Sequence, residues 1–559
     1  MNLSASHFFK AALIGAVSFC MLSLAVLVVG HLLLTSWRDI FFFNSDSLTL
    51  PLLLKSILSG ETFEWRFSSQ LFFFPEAFLY FVSAGLTPTV EWALILNAFI
   101  NFLLVFTLLL WIGALSGLDF IGRLVFTVCG AVLISIYIVL EPTPAVNQTA
   151  LVSLSLFNTY YFGVILASYF VLAINLCFLK DDSDSSGRSL SSLLLACAGV
   201  LILALTYGSN PLFLLQCSLP LLICLLGIYF FRGISKRTLV ELIGLQLMGL
   251  FLGQCLRWYF SDSIGRSVDR YVDIKAIFQS SKLFSENIKL IWSSPVSKIE
   301  YLLIVLVICV ACFSMAHAWR SFLMRRKGVS IESCTFNRPL LLLASFSLIA
   351  PLFAAVGVLA SGNYLMRYFL PLAFFPILAT AYLIGIAVNS LDRGTKPFLV
   401  GCVCFFLGAP GALALIANSV SPGSGSFLWW TQSHSFSLPQ SIACVNERFR
   451  GGSINLVASF WTSRPIDLYT SAPVRVLQVG PGLKPYYWMN NQAPYKMIQV
   501  SGVIVDKPEG TQKWPGYLYE EDLPALGQVS DRVDCERVSI YLFNRDTEGF
   551  KKIQQMLHN

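Results

Sequence analysis

One carboxylate of the chain has the neighbours that acid–base chemistry needs. Asp46 lies in the segment Asn44-Ser45-Asp46-Ser47, after the apolar run IFFF and before TLPLLLKSILSG, whose apolar spacing suits an interfacial helix. Side-chain hydroxyl and amide groups can hydrogen-bond a carboxylate, and a carboxylate held in this way can accept a proton from a sugar hydroxyl. The alternative is a helix N-cap, where serine and aspartate are favoured. The two roles are compatible.

A second set of residues could hold a phosphate or a sugar. Arg367 and Tyr368 open a late apolar segment in NYLMRYFLP, and Arg257 ends an earlier one in CLRWYFSD. Glu76 follows a proline in FFFPEAFLYF, and Arg66 lies in the same early loop as Asp46. Arginine can grip a phosphate through parallel hydrogen bonds, and ionisable groups near a membrane are costly enough to indicate function. We predict that these five residues bind substrate.

Simpler explanations exist for three of these residues. Arg367 and Arg257 suit membrane anchors whose charged ends reach the interface. Glu76 suits the N-terminal turn of a helix, where a negative charge is stabilising. Both kinds of role stay open at the level of sequence.

Composition identifies the environment in which these residues must work. Of 559 residues, 56% are hydrophobic and only 12% are charged, which is typical of a polytopic membrane protein. The net charge of +7 comes mostly from short loops between apolar segments, where lysine and arginine set orientation. No basic, aromatic-interleaved patch indicates nucleic-acid binding, and neither a phosphate loop nor a dinucleotide motif is present.

Eleven segments are long and apolar enough to be predicted as transmembrane helices. They lie near residues 10–34, 91–115, 121–140, 158–179, 189–207, 211–231, 238–257, 300–319, 339–360, 367–389 and 397–418. The loops rich in arginine and lysine face the cytoplasm if the N-terminus is cytoplasmic. An odd number of spans then puts the polar tail, 420–559, on the outer side.

The tail has the pattern of a small α/β domain. INLVASF, VRVLQV, MIQVSGVIV and RVSIYLF are predicted strands, and helices are predicted at 438–449 and 546–558. We therefore expect two domains: a transmembrane domain, 1–419, which includes an interfacial first outer loop at 36–90, and the tail at 420–559. The fold class is an α-helical polytopic membrane protein with a C-terminal α/β extracytoplasmic domain.

Two of the fourteen cysteines are placed to form a disulfide. Eleven lie in apolar segments and Cys334 lies in a basic loop, where free thiols behave as small apolar groups. Cys444 and Cys535 remain, and both lie in the tail. Since the predicted topology exposes the tail to an oxidising compartment, we predict that they are bonded to each other.

The arrangement resembles the GT-C fold of membrane glycosyltransferases, which includes protein mannosyltransferases, aminoarabinose transferases and arabinofuranosyltransferases. In that fold an essential aspartate follows the first span, where this chain has Asp46 in FFFNSDSLTLP. KSILSG and PEAFLYFVSAG occupy the place of its interfacial helices, and NYLMRYFLPL looks like its arginine–tyrosine–proline start of a late span. Residue 47 is serine, so the paired acids of some of these families are absent. That departure favours a mechanism without a metal or other cofactor.

The resemblance implies an inverting glycosyltransferase of a bacterial inner membrane, with its tail in the periplasm. Its partners would be a polyprenyl-phosphate sugar donor, a glycan or lipid acceptor of the cell envelope, such as lipopolysaccharide, and membrane lipids. Asp46 would be the general base, and Arg367 and Arg257 would hold the phosphate. Two alternatives are a transporter or flippase of lipid-linked saccharides and a glycan polymerase. A transporter is expected to show two related halves, which the sequence does not display.

Overall fold

The computed structural model describes the chain except residues 1–2, 142–149, 182–189, 232, 266–273, 327–337, 363, 390, 392–394, 396–437, 509, 511 and 559. The chain divides into two compact units. One comprises Met1–Arg38, Gln70–Phe260 and Val268–Leu428. The other comprises Asp39–Ser69, Ser261–Ser267 and Trp429–Asn559. The two units are described separately below.

The first unit is built from helices, because backbone groups in a lipid environment must be hydrogen-bonded within the segment. The helices of the chain up to residue 389 are α1 (Leu3–Leu34), α2 (Trp37–Phe43), α3 (Thr49–Leu58), α4 (Phe78–Gly85), α5 (Val90–Leu115), α6 (Phe120–Leu140), α7 (Phe162–Asp181), α8 (Leu190–Ser209), α9 (Leu219–Phe230), α10 (Lys236–Tyr259), α11 (Ile274–Ser293), α12 (Pro295–Arg326), α13 (Arg338–Ser361) and α14 (Leu370–Asn389). Of these, α3 and most of α2 belong to the second unit.

Nine helices of the described residues are long and apolar enough to cross a membrane. They correspond to nine of the eleven predicted spans, and the chain has the build of a multi-pass membrane protein. The predicted span 211–231 is a shorter apolar helix, Leu214–Phe230. The predicted span 397–418 lies outside the described residues. The fourth span begins at Phe162 rather than 158, because residues 150–161 form a separate structure.

The second unit combines a five-stranded sheet with helices on both faces. Its tail elements are α15 (Gln440–Arg448), β2 (Ile454–Ala458), α16 (Phe460–Tyr469), β3 (Val474–Gln478), β4 (Asn490–Asn491), α17 (Ala493–Met497), β5 (Gly502–Asp506), β6 (Asp531–Cys535), β7 (Val538–Leu542) and α18 (Glu548–His558), and β1 (Trp65–Arg66) comes from the early loop. The sheet order is β3-β2-β5-β7-β6. Strands β2, β3 and β5 are parallel, whereas β7 pairs antiparallel with both β5 and β6.

Alternation along the strands gives this sheet two apolar faces. Ile504 and Ile540 belong to the core that α15 and α16 cover, together with Ile442 and Ile466. Val503 and Val505 belong to the opposite core, which includes Leu557 of α18. Successive side chains of a strand point to opposite faces, so one sheet supports both layers. The predicted fold class, a polytopic helical protein with a C-terminal α/β domain, is confirmed.

The tail contains the expected pair of half-cystines. Cys444 of α15 is bonded to Cys535 at the end of β6, with the two Cα atoms 5.8 Å apart. The bond joins a helix at the start of the tail to an edge strand near its end, 91 residues later. The domain boundary predicted near residue 420 lies outside the described residues.

Candidate functional site

Asp46 lies in a tight turn that its neighbours hold in place. The Asn44 side chain accepts a hydrogen bond from the Asp46 backbone N–H at 3.0 Å, and the Asp46 carbonyl accepts one from the Thr49 hydroxyl at 2.9 Å. Ser45 and Ser47 are buried, whereas Asp46 is partly exposed. The N-cap position of the following helix is Leu48, and no side chain caps it. The helix-capping alternative for Asp46 is therefore excluded.

The turn is attached to helix α16 of the tail. The Ser45 hydroxyl lies 2.9 Å from the Phe460 carbonyl and 3.1 Å from that of Trp461, and it donates to this pair. These residues are separated by 415 positions in sequence. The contact fixes the backbone on the N-terminal side of Asp46 against the first turn of α16.

One turn further along α16 is a buried cation that interacts with Asp46. Arg464 is only 3% exposed, and its guanidinium lies over the Phe460 ring and donates to the Met489 carbonyl at 3.0 Å. Burial lowers the pKa of Arg464 to about 10, and the charge of Asp46 opposes that shift. The guanidinium therefore stays charged at neutral pH. The pKa of Tyr486 is raised by burial and also by the charge of Asp46.

Further polar contacts attach Asp39–Ser69, the first-loop segment, to the tail. Arg475 pairs with Glu61 at 2.8 Å and with Asp467 at 3.3 Å. The Asn491 amide donates to Ser56 and Glu61 at 3.1 Å each. Strand β1 also pairs antiparallel with β4. The loop and the tail thus form one body in which the position of Asp46 is defined.

Arg66 lies on this two-stranded ribbon. It pairs in register with Asn490, and its side chain is exposed. Its predicted role in substrate binding stays a prediction.

In the first unit, Arg367 lies beside aromatic rings. Its guanidinium carbon is 5.2 Å from the centre of the Tyr160 ring and 5.6 Å from that of Tyr161. Tyr368, the next residue, has its hydroxyl 3.3 Å from that of Tyr161. Arginine is attracted to aromatic faces and can still direct its N–H groups to a phosphate. The structure thus brings the predicted Arg367 and Tyr368 together with two tyrosines, Tyr160 and Tyr161, that the sequence did not single out.

Those tyrosines belong to a buried segment, residues 150–161, that is neither a helix nor a strand except for one 3-10 turn, Ser153–Leu156. Its start is fixed by the Glu141 carboxylate, which accepts hydrogen bonds from the backbone N–H groups of Leu151, Val152 (2.9 Å) and Ser153 (2.5 Å). Every residue of the segment is buried. Burial raises the pKa of Glu141, while these hydrogen bonds lower it.

Glu76 lies in a different part of the first unit, against the start of α7. Its carboxylate faces a small cavity with Asn97 and Asn158, and it is only 6% exposed. Burial raises its pKa to about 7, although the nearby N–H groups of Glu76 itself and Gly163 act in the opposite direction. Glu76 also lies in the first turn of its helix, as the helix-terminus alternative requires.

Arg257, near the end of α10, contacts the C-terminal end of α8. It is 9% exposed and donates to the Gly208 carbonyl, near the end of α8, at 3.3 Å. Arginine at this position satisfies a carbonyl that a helix leaves unpaired at its C-terminus. This contact gives Arg257 a structural role, and its predicted part in phosphate binding stays a prediction.

Comparison with known proteins gives a faint likeness only. No family model and no curated protein matches the sequence. A structure of the Archaeoglobus fulgidus oligosaccharyltransferase in its apo form is 12% identical, with 88% of this chain and 69% of that chain covered and a TM-score of 0.43. A structure of the oligosaccharyltransferase AglB of the same organism, in complex with an inhibitory peptide and a dolichol-phosphate, is also 12% identical. It covers 90% of this chain and 70% of that chain, with a TM-score of 0.40.

At this identity and these TM-scores, the likeness carries no argument about activity or about the role of any residue. The functional argument therefore rests on the residues of this chain.

Proposed function

We propose that the protein is an inverting membrane glycosyltransferase. It moves one sugar from a polyprenyl phosphate to a glycan or lipid acceptor of the bacterial cell envelope, on the periplasmic side of the inner membrane. The observation that carries the proposal is the setting of Asp46: a partly exposed carboxylate on a fixed turn, charge-compensated by the buried Arg464.

In this reaction the Asp46 carboxylate accepts the proton of an acceptor hydroxyl. The oxygen attacks the anomeric carbon of the donor sugar as the bond from that carbon to the phosphate oxygen breaks. The bonding electrons leave with the phosphate, and attack from the opposite face inverts the anomeric centre. A general base of this kind contributes on the order of 10²–10⁴ in rate.

Arg464 supports Asp46 in this role. Its guanidinium interacts with the charge of Asp46 from the first turns of α16, and the carboxylate form of Asp46 is the form that accepts the proton. The interaction comes from the tail, so the tail takes part in the catalytic arrangement as well as in acceptor binding.

The donor phosphate is assigned to Arg367. Its position over Tyr160 and Tyr161 supports a site in which a guanidinium stabilises the leaving phosphate and aromatic rings border the sugar. Tyr368 contributes a hydroxyl to the same cluster. Arg257 and Arg66 are proposed as further substrate contacts. Glu76 is not, because it is buried beside a cavity of about 10 Å³, which is too small for a sugar or a phosphate.

The direct test uses the purified full-length protein reconstituted in sealed lipid vesicles. It is incubated with a panel of polyprenyl-phosphate sugars and with cell-envelope lipid acceptors, and free polyprenyl phosphate is measured. Release that depends on both donor and acceptor supports a transferase. A protein that carries the donors across a bilayer without releasing polyprenyl phosphate is a flippase, and this result would refute the proposal.

A further inference from the structure

The cavity beside Glu76 joins polar side chains from three separate parts of the first unit. Glu76 precedes α4, Asn97 and Asn101 lie on α5, and Asn158 lies in the 150–161 segment. All four are nearly inaccessible, with 6%, 2%, 5% and 2% of their surfaces exposed. The remaining lining is apolar apart from the backbone of Gly163. Glu76 is the only side chain of this lining that can carry a charge.

The cavity has a surplus of oxygen acceptors. Both carboxylate oxygens of Glu76, the amide oxygen of Asn97 and both polar atoms of Asn158 lack a hydrogen-bond partner of good geometry among the described residues. Four of these five atoms are oxygens. The nearby N–H groups of Glu76 and Gly163 compensate the carboxylate only in part. Buried polar atoms are nearly always satisfied, and an isolated buried carboxylate is especially costly. A proton on Glu76 or a bound cation would neutralise the carboxylate, but a proton would leave the amide oxygens of Asn97 and Asn158 without a partner.

Space and backbone shape limit what a bound cation can be. The cavity measures about 10 Å³, which is close to the smallest volume that holds one water molecule. At Gly163 a Cβ atom would lie 2.5 Å from the Glu76 carboxyl carbon and 2.6 Å from the Pro75 ring. Any side chain there would displace the carboxylate. Glycine at position 163 therefore leaves room for a compact occupant of the cavity. The cavity is too small to admit the side chain of a lysine or an arginine.

We propose that Glu76, Asn97 and Asn158 bind one dehydrated monovalent cation of the size of Na⁺. Carboxylate and amide oxygens are ligands for hard cations. One carboxylate neutralises one positive charge, whereas a divalent ion would leave a net charge in a buried site, which is unfavourable. The ion would connect the start of α4 to α5 and to the 150–161 segment. This site does not depend on the proposed transfer reaction.

The test measures binding of Na⁺ alone to the purified full-length protein, with no glycosyl substrate present. Radioactive ²²Na⁺ is titrated at constant ionic strength, with N-methyl-glucamine chloride as the replacement salt. We expect saturable binding of one ion per chain, and a melting temperature higher in Na⁺ than in N-methyl-glucamine by a few degrees. Both effects should be lost in Glu76→Gln, which keeps the side-chain volume but removes the charge, and in Asn158→Leu.

Glu91→Gln is the matched control. Glu91 lies in the first turn of α5, outside the cavity lining, and the variant removes one charge from the same unit. It should bind Na⁺ as the wild type does. Absence of saturable binding in the wild type would overturn the site, as would unchanged binding in a folded Glu76→Gln protein or displacement of Na⁺ by micromolar Mg²⁺. None of these results bears on release of polyprenyl phosphate, so the two proposals fail separately.

Discussion

At the scale of single residues, two carboxylates of this chain have contrasting settings. Asp46 is partly exposed and interacts with a buried cation. Glu76 is buried beside amide groups and has a raised pKa. An accessible, compensated carboxylate suits proton acceptance, whereas a buried carboxylate with no counter-charge suits the binding of a proton or an ion. Their environments therefore point to separate roles.

Asp46→Asn should abolish sugar transfer and leave the fold intact. The change is nearly isosteric, and the hydrogen bonds that shape the turn involve the Asp46 backbone. Loss of the base should reduce the rate by about 10²–10⁴. Polyprenyl-phosphate release measures activity, and the melting temperature checks the fold. Wild-type release by a folded Asp46→Asn protein would rule out the general-base role.

Arg367→Lys should impair transfer nearly as much as Arg367→Ala. A lysine ammonium cannot reproduce a planar, two-pronged grip on phosphate, and it stacks less well on the Tyr160 and Tyr161 rings. If the residue is only a membrane anchor, lysine should serve as well as arginine. Release rates of the two variants, measured at saturating donor and over a donor titration, distinguish these cases.

Glu76 should make stability depend on pH in sodium-free buffer. Its pKa rises from 4.5 to about 7 on folding, so the folded state holds the proton more tightly than the unfolded state. The protein should therefore lose stability as the pH rises from about 4.5 to 7 and change little above that, by on the order of 3 kcal/mol in total.

The Glu76→Gln variant isolates this effect, because its side chain does not titrate. The melting temperatures of the two proteins should diverge between pH 5 and pH 8, with the wild type losing more. Parallel pH profiles would show that the Glu76 carboxyl is not buried in the way described.

At the scale of elements, the 150–161 segment determines where Tyr160 and Tyr161 lie relative to Arg367. It has almost no regular hydrogen-bonding pattern of its own, so its position depends on Glu141. Removal of that carboxylate would leave three buried N–H groups without their acceptor.

Glu141→Ala should lower stability by a few kcal/mol, since each buried donor left unsatisfied costs about 1–3 kcal/mol. Glu141→Gln should cost less, because it keeps one acceptor oxygen. Glu286→Ala, on α11 and 52% exposed at its side chain, provides the surface control. Thermal unfolding of the three variants would contradict this assignment if Glu141→Ala and Glu286→Ala were equally stable.

Regular elements were the part of this structure that the sequence predicted well. Long apolar runs located nine membrane-length helices, and alternation located β2, β3, β5 and β7. The predicted span 158–179 includes the end of the 150–161 segment, because the apolar residues of this segment have no period that separates it from a helix. Strand β6 was missed because its exposed side chains, such as Asp531 and Arg532, give no apolar alternation.

The neighbours of Asp46 could not be predicted for a different reason. Asn44 and Ser47 lie within two positions of Asp46 in the sequence, but Phe460 lies 415 positions from Ser45. Arg464 looks like an ordinary charged residue of a tail helix, and only tertiary packing shows that it is buried. The apolar residues of the FWTSRPIDLY segment indicate a packed helix, but they do not indicate that its arginine is buried.

At the scale of the whole molecule, the disulfide should increase the thermal stability of the tail. The bond between Cys444 and Cys535 closes a loop across a separation of 91 residues, for which the chain-entropy model gives about 4–5 kcal/mol, often more than is realised. Replacement of both cysteines by serine should lower the unfolding temperature of the tail. The transmembrane helices should be unaffected.

Mass spectrometry of non-reduced peptides from freshly isolated membranes tests the bond itself. Recovery of the Cys444 and Cys535 peptides as separate free thiols would refute the pairing. Labelling of both thiols only from the cytoplasmic side would also reverse the predicted orientation of the tail, and with it the periplasmic location of the reaction.

The union of the first-loop segment with the tail has a consequence for biosynthesis. The loop leaves the ribosome long before its partners, because the chain between Ser69 and Gln440 must be made in the interval. At about 5–20 residues per second, that interval lasts about 20–70 s. During this time the Asp46 turn has neither its Ser45 anchor on α16 nor the charge of Arg464. If Asp46 is the general base proposed above, a nascent chain whose first helices are already in the membrane should be inactive, and activity should begin only when the tail has been made.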